Sequence, residues 1–115
     1  MPLYRCAIRE GLSSEAQRAQ IAKDVVRIHC GVTGAPAMFV HAFFSERPAS
    51  ELPEGQVACV FGTIRWGRTD EQKAEIASRL KSSVATALGC AESEVGVTTV
   101  DIPSKWNMEG GELLP

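Results

Sequence analysis

Ile64-Arg65-Trp66-Gly67 repeats Ile8-Arg9-Glu10-Gly11 at a distance of 56 residues, and this internal repeat is the observation from which the architecture follows. The match continues to the end of each half, where Pro103 follows Pro48 at a distance of 55 residues. A repeat of this length is typical of a duplicated unit of secondary structure. We therefore predict that the chain contains the same unit twice.

The duplication accounts for the whole chain, which we predict to be one domain over residues 1–115 with pseudo-repeats at residues 1–50 and 56–106. Each repeat reads as strand, helix, strand. The predicted elements are Leu3 to Ile8, Ser14 to Cys30 and Ala37 to Phe44, then Val57 to Ile64, Asp70 to Leu88 and Val95 to Ile102. Strands joined by a crossover helix run parallel. The expected fold is of the α/β class, an α+β two-layer sandwich in which a four-stranded sheet carries two helices on one face.

Both predicted helices have clear ends. Ser14 and Thr69 precede them, and each is followed three residues later by a glutamine, as in a capping box. Gly31 and Gly89 are the predicted stops. Apolar residues recur at helical spacing in both segments, so each helix can pack one face on the sheet. The other face of the sheet would then need cover from another chain.

Composition excludes several classes of protein. The 12 basic and 14 acidic residues give a net charge of -2 and form no basic block, so nucleic acid is not an expected partner. No apolar run is long enough to cross a bilayer, and the first residues contain no apolar signal core. We expect a soluble cytoplasmic protein without a membrane partner.

The four cysteines are widely spaced and form no CxxC pair, which is poor spacing for metal ligands. We predict reduced thiols that are mostly buried, and no metal site. These residues are Cys6, Cys30, Cys59 and Cys90.

Pro2 is the sharpest chemical signal in the sequence. Removal of Met1, which is usual before a small second residue, would leave Pro2 with a free secondary amine that is a base or a nucleophile. The equivalent position of the second repeat falls near Ala58, so each chain is expected to carry one such amine. Because many proteins begin Met-Pro by chance, this start alone does not define a site.

Met1-Pro2 at the head of a duplicated β-α-β unit, together with Thr63-Ile64-Arg65-Trp66-Gly67-Arg68-Thr69, resembles the tautomerase superfamily of 4-oxalocrotonate tautomerase and macrophage migration inhibitory factor. Within it, the chain is most similar to the cis-3-chloroacrylic acid dehalogenase group. The likeness covers nearly the whole chain and includes Ala35-Pro36 and Asn107-Met108. We expect a homotrimer, a small carboxylic acid as the substrate, and no need for a metal or an organic cofactor.

The resemblance implies roles for several residues. Pro2 corresponds to the catalytic proline, and His29 to a histidine that helps to bind the substrate carboxylate. Arg65 and Arg68 correspond to the paired carboxylate-binding arginines of the group. Neighbouring cations would disfavour protonation of the Pro2 amine and stabilise an enolate. Without the resemblance, a half-buried helix histidine and two surface arginines would need no function.

Two further matches concern the activation of water. Glu109 is the best match to the acid that activates water in the dehalogenases, across a gap of one residue. Thr98 stands among the substrate-binding positions, where the group has a tyrosine that assists this acid. The missing tyrosine favours a tautomerase over a dehalogenase. An exposed acid near a terminus is the structural alternative for Glu109.

Three functions remain open. The first is a tautomerase in which Pro2 is the general base for keto-enol proton transfer on a 2-keto acid such as phenylpyruvate. The second is a cofactor-independent hydratase or hydrolytic dehalogenase of 3-haloacrylic or acetylenic acids, with Pro2 as the acid and Glu109 positioning water. The third is a non-enzymatic binding module that keeps the fold and an idle proline. A decarboxylase is disfavoured, because the acid that such enzymes carry would fall near Met38.

Overall fold

The computed structural model describes residues 2–103 in full and, for residues 108–109 and 112–113, the backbone. Its main elements are β1 (Leu3–Arg9), α1 (Glu15–Thr33), β2 (His41–Arg47), β3 (Ala58–Arg65), α2 (Asp70–Leu88), β4 (Val95–Ile102), β5 (Met108–Glu109) and β6 (Glu112–Leu113). Single 3-10 turns lie at Ala37–Phe39, Ala49–Glu51 and Glu92–Glu94.

The first four strands form one mixed sheet in the order β2-β1-β3-β4. Each strand pair that is joined through a helix is parallel, whereas β1 and β3 are antiparallel at the centre. Both helices pack on the same face, and α1 and α2 also contact each other. The predicted α+β sandwich of β-α-β units is confirmed.

The hydrophobic core lies between the sheet and the helices. Alternate residues of β1 and β3 are buried there, as the two-residue period of a strand requires. The helices contribute one apolar stripe each, which confirms the helical spacing seen in the sequence. The buried helix residues are Ile21, Val25, Ile28 and His29 in α1, and Ile76, Leu80, Val84, Ala85 and Leu88 in α2.

Helix α1 ends later than the sequence predicted. Both capping boxes are present, and α2 ends at Gly89 as expected, but the left-handed residue that terminates α1 is Gly34, with φ 76°, and not Gly31. The last turn of α1 is held by side chains, since Thr33 donates to the His29 carbonyl at 2.8 Å. The predicted helix end at Gly31 was wrong because this side-chain hydrogen bond helps to stabilise one further turn.

Strand β2 begins later than predicted, at His41 rather than Ala37. The amides of Phe39 and Val40 donate to the carbonyls of Pro36 and Ala37, three residues earlier in each case, which forms a 3-10 turn directly after Pro36. These amides are therefore not available for pairing with β1.

The cysteine prediction is wrong in one respect. All four thiols are free, but Cys6 is the buried one and the others are partly exposed. Burial, and the nearby Cys59, raise the pKa of the Cys6 thiol to about 12.

No group of three or more metal-ligating side chains comes together within the described part of the chain. Across the same residues, neither helix is long and apolar enough to cross a bilayer.

Candidate active site

The amino terminus of β1 lies at the end of the sheet where β2 also begins and where β3 and β4 finish. Pro2 is buried immediately before β1, and its carbonyl accepts a hydrogen bond from the His41 amide at 3.0 Å. The register pairs Leu3 with both His41 and Thr63, so three chain segments converge on this point. The fold thus places the predicted catalytic residue in a protein environment and not on a free tail.

His29 lies at the same end, in the last part of α1, and is the one polar residue among the buried side chains of the described core. It is 1% exposed, and its Nδ1 atom lies 2.7 Å from the hydroxyl of Tyr4, which is fully buried on β1. The two rings meet edge to face, with centroids 5.6 Å apart. Tyr4 is the second residue after Pro2, so the strand alternation puts both on the helix side of the sheet.

The protonation states of this pair follow from burial. Burial raises the pKa of Tyr4 above its ordinary value, so the phenol keeps its proton. Burial, followed by the positive charge of Arg68, lowers the pKa of His29 to about 4, so the imidazole is neutral near pH 7. The Nε2 atom of His29 is buried and has no hydrogen-bond partner among the described residues.

Arg68 approaches the pair from the loop between β3 and α2. Gly67 makes the turn in that loop with a φ of 107°. Residues other than glycine rarely adopt this backbone conformation. Arg68 is half-buried, and one terminal nitrogen donates to the Thr33 carbonyl at 3.4 Å. Its Nε atom is buried without a partner among the described residues. The loop therefore holds a cation, with an unsatisfied donor, at the end of α1.

The other predicted residues are placed differently. Arg65 ends β3 and is exposed, on the face of the sheet that the helices leave open. Thr98 is exposed on the same face in the middle of β4, opposite Phe61. The sheet therefore separates Thr98 from His29 of its own chain. Within one chain, the structure brings Pro2, His29 and Arg68 to one end of the helix side, and does not bring Thr98 there.

Several expectations fall outside the described residues. These concern Met1, the side chain of Glu109, and Asn107; for Glu109 only the backbone is described, in β5, where it pairs with Glu112. His41 is exposed at the start of β2.

Tyr4 is the residue that the sequence analysis missed. It occupies a core position of β1, and an aromatic residue there is normally explained by packing alone. A signal was available, since Tyr4 is the single tyrosine of the chain and stands two residues from Pro2. Its hydroxyl needs a buried partner, which is provided by His29.

An open groove of about 520 Å³ lies between the two helices and shares no residue with the Pro2 cluster. Most of its lining residues are of polar type, and they include Asp24, Arg27, Arg79 and Ser83. Ser83 donates to Asp24 at 2.7 Å, which, with Gln20 and Arg27, satisfies that carboxylate. No buried polar side-chain atom of the described groove residues lacks a hydrogen-bond partner, and we keep the Pro2 cluster as the candidate site.

Several solved structures are similar to this chain over most of its length. Native Ps01740 has 36% identity and a TM-score of 0.85, covering 93% of this chain and 99% of its own. N1, a member of the cis-3-chloroacrylic acid dehalogenase family, has 31% identity and a TM-score of 0.87, covering 98% of this chain and 83% of its own. The Q0 fused 4-OT, a symmetric trimer, has 29% identity and a TM-score of 0.82, covering 97% and 94%.

No protein-family profile and no curated protein sequence matches the chain. The structural matches nevertheless span almost the full length of the chain. The sequence identity to N1 is high enough to indicate a shared family as well as a shared fold. These matches confirm the predicted resemblance to the tautomerase superfamily. The chain belongs to the tautomerase superfamily of enzymes and, within it, to the cis-3-chloroacrylic acid dehalogenase family.

Proposed function

We propose that this chain is a cofactor-independent tautomerase in which Pro2, freed by removal of Met1, transfers a proton between oxygen and carbon of a 2-keto acid such as phenylpyruvate. One observation carries the proposal. A buried histidine with an unpartnered Nε2 atom and a half-buried arginine with an unpartnered Nε atom lie together at the end of the sheet where Pro2 is buried. Buried donors without partners favour an anionic ligand at that point.

Charge supports a carboxylic acid as the substrate. Arg68 supplies charge-assisted hydrogen bonds, which are stronger than neutral ones and suit a carboxylate. Arg65 is the second candidate cation, on the other face at the same end of the sheet. The neutral His29 adds a donor without adding a second positive charge.

The Pro2 amine would act as the base. An amine that is buried near a cation has its protonated form disfavoured, so its pKa falls toward the working pH. In ketonisation the Pro2 nitrogen takes the proton of the enol hydroxyl, the carbonyl forms, and the same proton is delivered to the neighbouring carbon. Arg68 and His29 would stabilise the negative charge that develops on oxygen.

Membership of the dehalogenase family favours a second candidate. In a hydratase or hydrolytic dehalogenase of 3-haloacrylic or acetylenic acids, protonated Pro2 would be the acid and Glu109 would position water. That reaction requires a Pro2 pKa above the working pH, whereas the tautomerase requires one near or below it. The threonine at position 98 supports the tautomerase, because the assisting tyrosine is lacking.

A homotrimer is part of the proposal. A 4-OT protein 29% identical to this chain is a symmetric trimer. Phe43 and Phe61 are 60% and 37% exposed on the open face of the sheet, which would be covered in such an assembly.

The first test measures the conversion of enol to keto phenylpyruvate between pH 5 and 9, after mass spectrometry has verified the loss of Met1. Pro2→Ala should lower kcat/KM by about 100-fold or more, as expected for the loss of a general base. Arg68→Ala should raise KM, whereas Arg79→Ala should not, because Arg79 is a partly exposed arginine of α2 outside the Pro2 cluster. If the wild type converts no enol but releases halide from 3-chloroacrylates or hydrates an acetylenic acid, the second candidate is correct. If it acts on none of these acids, the result favours the non-enzymatic binding module.

A further inference from the structure

We propose that Tyr4 is a positioning residue that holds His29 in the tautomer protonated at Nε2, so that the imidazole presents an N–H donor to an anionic oxygen beside Pro2. The identity of that anion rests on the proposed function. The tautomer does not, because it follows from hydrogen bonding inside the chain.

The hydrogen-bond inventory determines the direction of the contact. The Tyr4 hydroxyl is buried, retains its proton, and has Nδ1 of His29 at 2.7 Å as its one partner among the described residues. A buried O–H needs an acceptor, so Tyr4 donates and Nδ1 must carry the lone pair. A neutral imidazole has one proton, which therefore resides on Nε2.

This proton position matters for an anion. With the proton on Nε2, the atom that lacks a partner is a donor. In the other tautomer the same atom would present a lone pair, which repels a carboxylate or enolate oxygen. Because His29 remains neutral, the choice of tautomer, and not a positive charge, decides whether it attracts the ligand.

Comparison of the two halves argues against a purely structural role for the pair. The helices are 19 residues long and start 55 residues apart, so His29 corresponds to Val84 of α2. Tyr4 corresponds to Val60 of β3 at the 56-residue offset, and both valines are buried. The same packing positions are thus filled by apolar side chains where no proline precedes the strand.

Gly62 provides the space for this arrangement. It is the register partner of Tyr4 on β3, and a Cβ atom at this position would lie 2.5 Å from the Tyr4 ring. The ring can therefore lie over the neighbouring backbone only if residue 62 has no side chain. This close approach fixes the ring and directs the hydroxyl toward His29.

Nitrogen NMR of the histidine ring tests the proposal directly. The ¹⁵N shifts separate protonated from unprotonated ring nitrogens, and the exposed His41 is an internal reference for a solvated imidazole. At pH 7, without substrate, we expect His29 to be neutral with the proton on Nε2. In Tyr4→Phe, which keeps the ring and removes the hydroxyl, the Nδ1-protonated form should become populated. A wild-type His29 protonated on Nδ1, or a tautomer unchanged in Tyr4→Phe, would overturn the proposal.

Kinetics give a second readout that also serves if Tyr4→Phe does not fold. The amide nitrogen of glutamine overlays Nε2 of histidine, and that of asparagine overlays Nδ1. His29→Gln should therefore retain a KM within a few-fold of wild type, whereas His29→Asn should raise it about tenfold, the effect of losing one hydrogen bond to a charged group. Equal effects of the two variants would contradict the proposal. If phenylpyruvate is not a substrate but His29 is protonated on Nε2, the proposed function fails and the role of Tyr4 stands.

Discussion

At position 29, an imidazole that is 1% exposed contacts the Tyr4 hydroxyl and experiences the charge of Arg68. Its ordinary pKa of 6.5 is lowered to about 4 in the folded chain. Between these two values the unfolded chain binds the proton and the folded chain does not. Folding stability must therefore rise with pH across this window, because the unfolded state holds more protons there.

We expect wild-type protein to lose roughly 1.5 kcal/mol of unfolding free energy through this histidine when the pH falls from 6.5 to 5. Urea unfolding at fixed protein concentration, at several pH values, measures the loss. His29→Gln has no proton to take up and should lack this slope. If the unfolding free energies of the two proteins change with pH in parallel, the pKa of His29 is not lowered by burial and this prediction is wrong.

Substitution of Gly62 tests whether the position of the Tyr4 ring depends on the absence of a side chain at residue 62. Gly62→Ala should cost about 1–3 kcal/mol of stability, because the added methyl group overlaps the buried Tyr4 ring and forces it to move. Gly31→Ala is the matched control, since nothing lies within 4 Å of a Cβ there and the site is helical. The control should be neutral or more stable by about 0.5–1 kcal/mol. Equal denaturation curves for the two variants would show that the ring does not depend on Gly62.

The sequence predicted those residues whose role follows from their own side chain and from the resemblance to the tautomerase superfamily. Pro2, His29 and Arg68 could be identified in this way as a base, an imidazole and a cation. Tyr4 could not, because its role arises from one hydroxyl that points to a residue 25 positions away. Likewise, the face on which Thr98 lies depends on strand register, which the residue type does not reveal.

Two glutamines, Gln17 of α1 and Gln72 of α2, each join their own helix to the other one. Each accepts from the backbone of its own capping residue through Oε1, and donates through Nε2 to a carbonyl in the last turn of the other helix. Gln17 reaches the Ala87 carbonyl and Gln72 reaches that of Val32, both at 3.2 Å. Each side chain thus satisfies groups at the start of one helix and at the end of the other.

Gln17→Ala and Gln72→Ala should each lower the unfolding free energy by about 1–2 kcal/mol, since each loses a cap and a contact between helices. Gln20→Ala removes an exposed glutamine of α1 that contacts Asp24, and should change stability by less than about 0.5 kcal/mol. Thermal or urea unfolding of the three variants distinguishes them. A Gln72→Ala protein as stable as Gln20→Ala would mean that the contact with Val32 adds nothing.

The same glutamines show what local sequence can and cannot indicate. The capping boxes were readable, because they lie within four consecutive residues. The second hydrogen bond of each glutamine was not, since it joins residues 70 or 40 positions apart. The misplaced stop at Gly31 has this cause: glycine alone indicated an end, while contacts from Gln72 and Arg68 with the carbonyls of Val32 and Thr33 stabilise a later one.

The open face of the sheet carries a row of side chains across all four strands. Register places Arg5 between Phe43 and Phe61, with Thr98 beyond Phe61. All four are exposed in the single chain. Exposed aromatic side chains on a sheet face that the described residues leave uncovered favour association with further copies. If Thr98 acts at a Pro2 site, it would be one in a neighbouring subunit, because the sheet separates it from its own.

Phe61→Glu should convert the proposed trimer to monomers. The new carboxylate would lie beside Arg5, where it can pair in a solvated monomer, but burial of that pair in a subunit interface would cost several kcal/mol. Light scattering after gel filtration measures the mass directly. Ala19→Glu adds the same charge at an exposed position of α1 and should leave the trimer intact, because the helices lie on the other side of the sheet. A wild type that is already monomeric at micromolar concentration, or a Phe61→Glu trimer as stable as that of Ala19→Glu, would show that this face is not where the subunits meet.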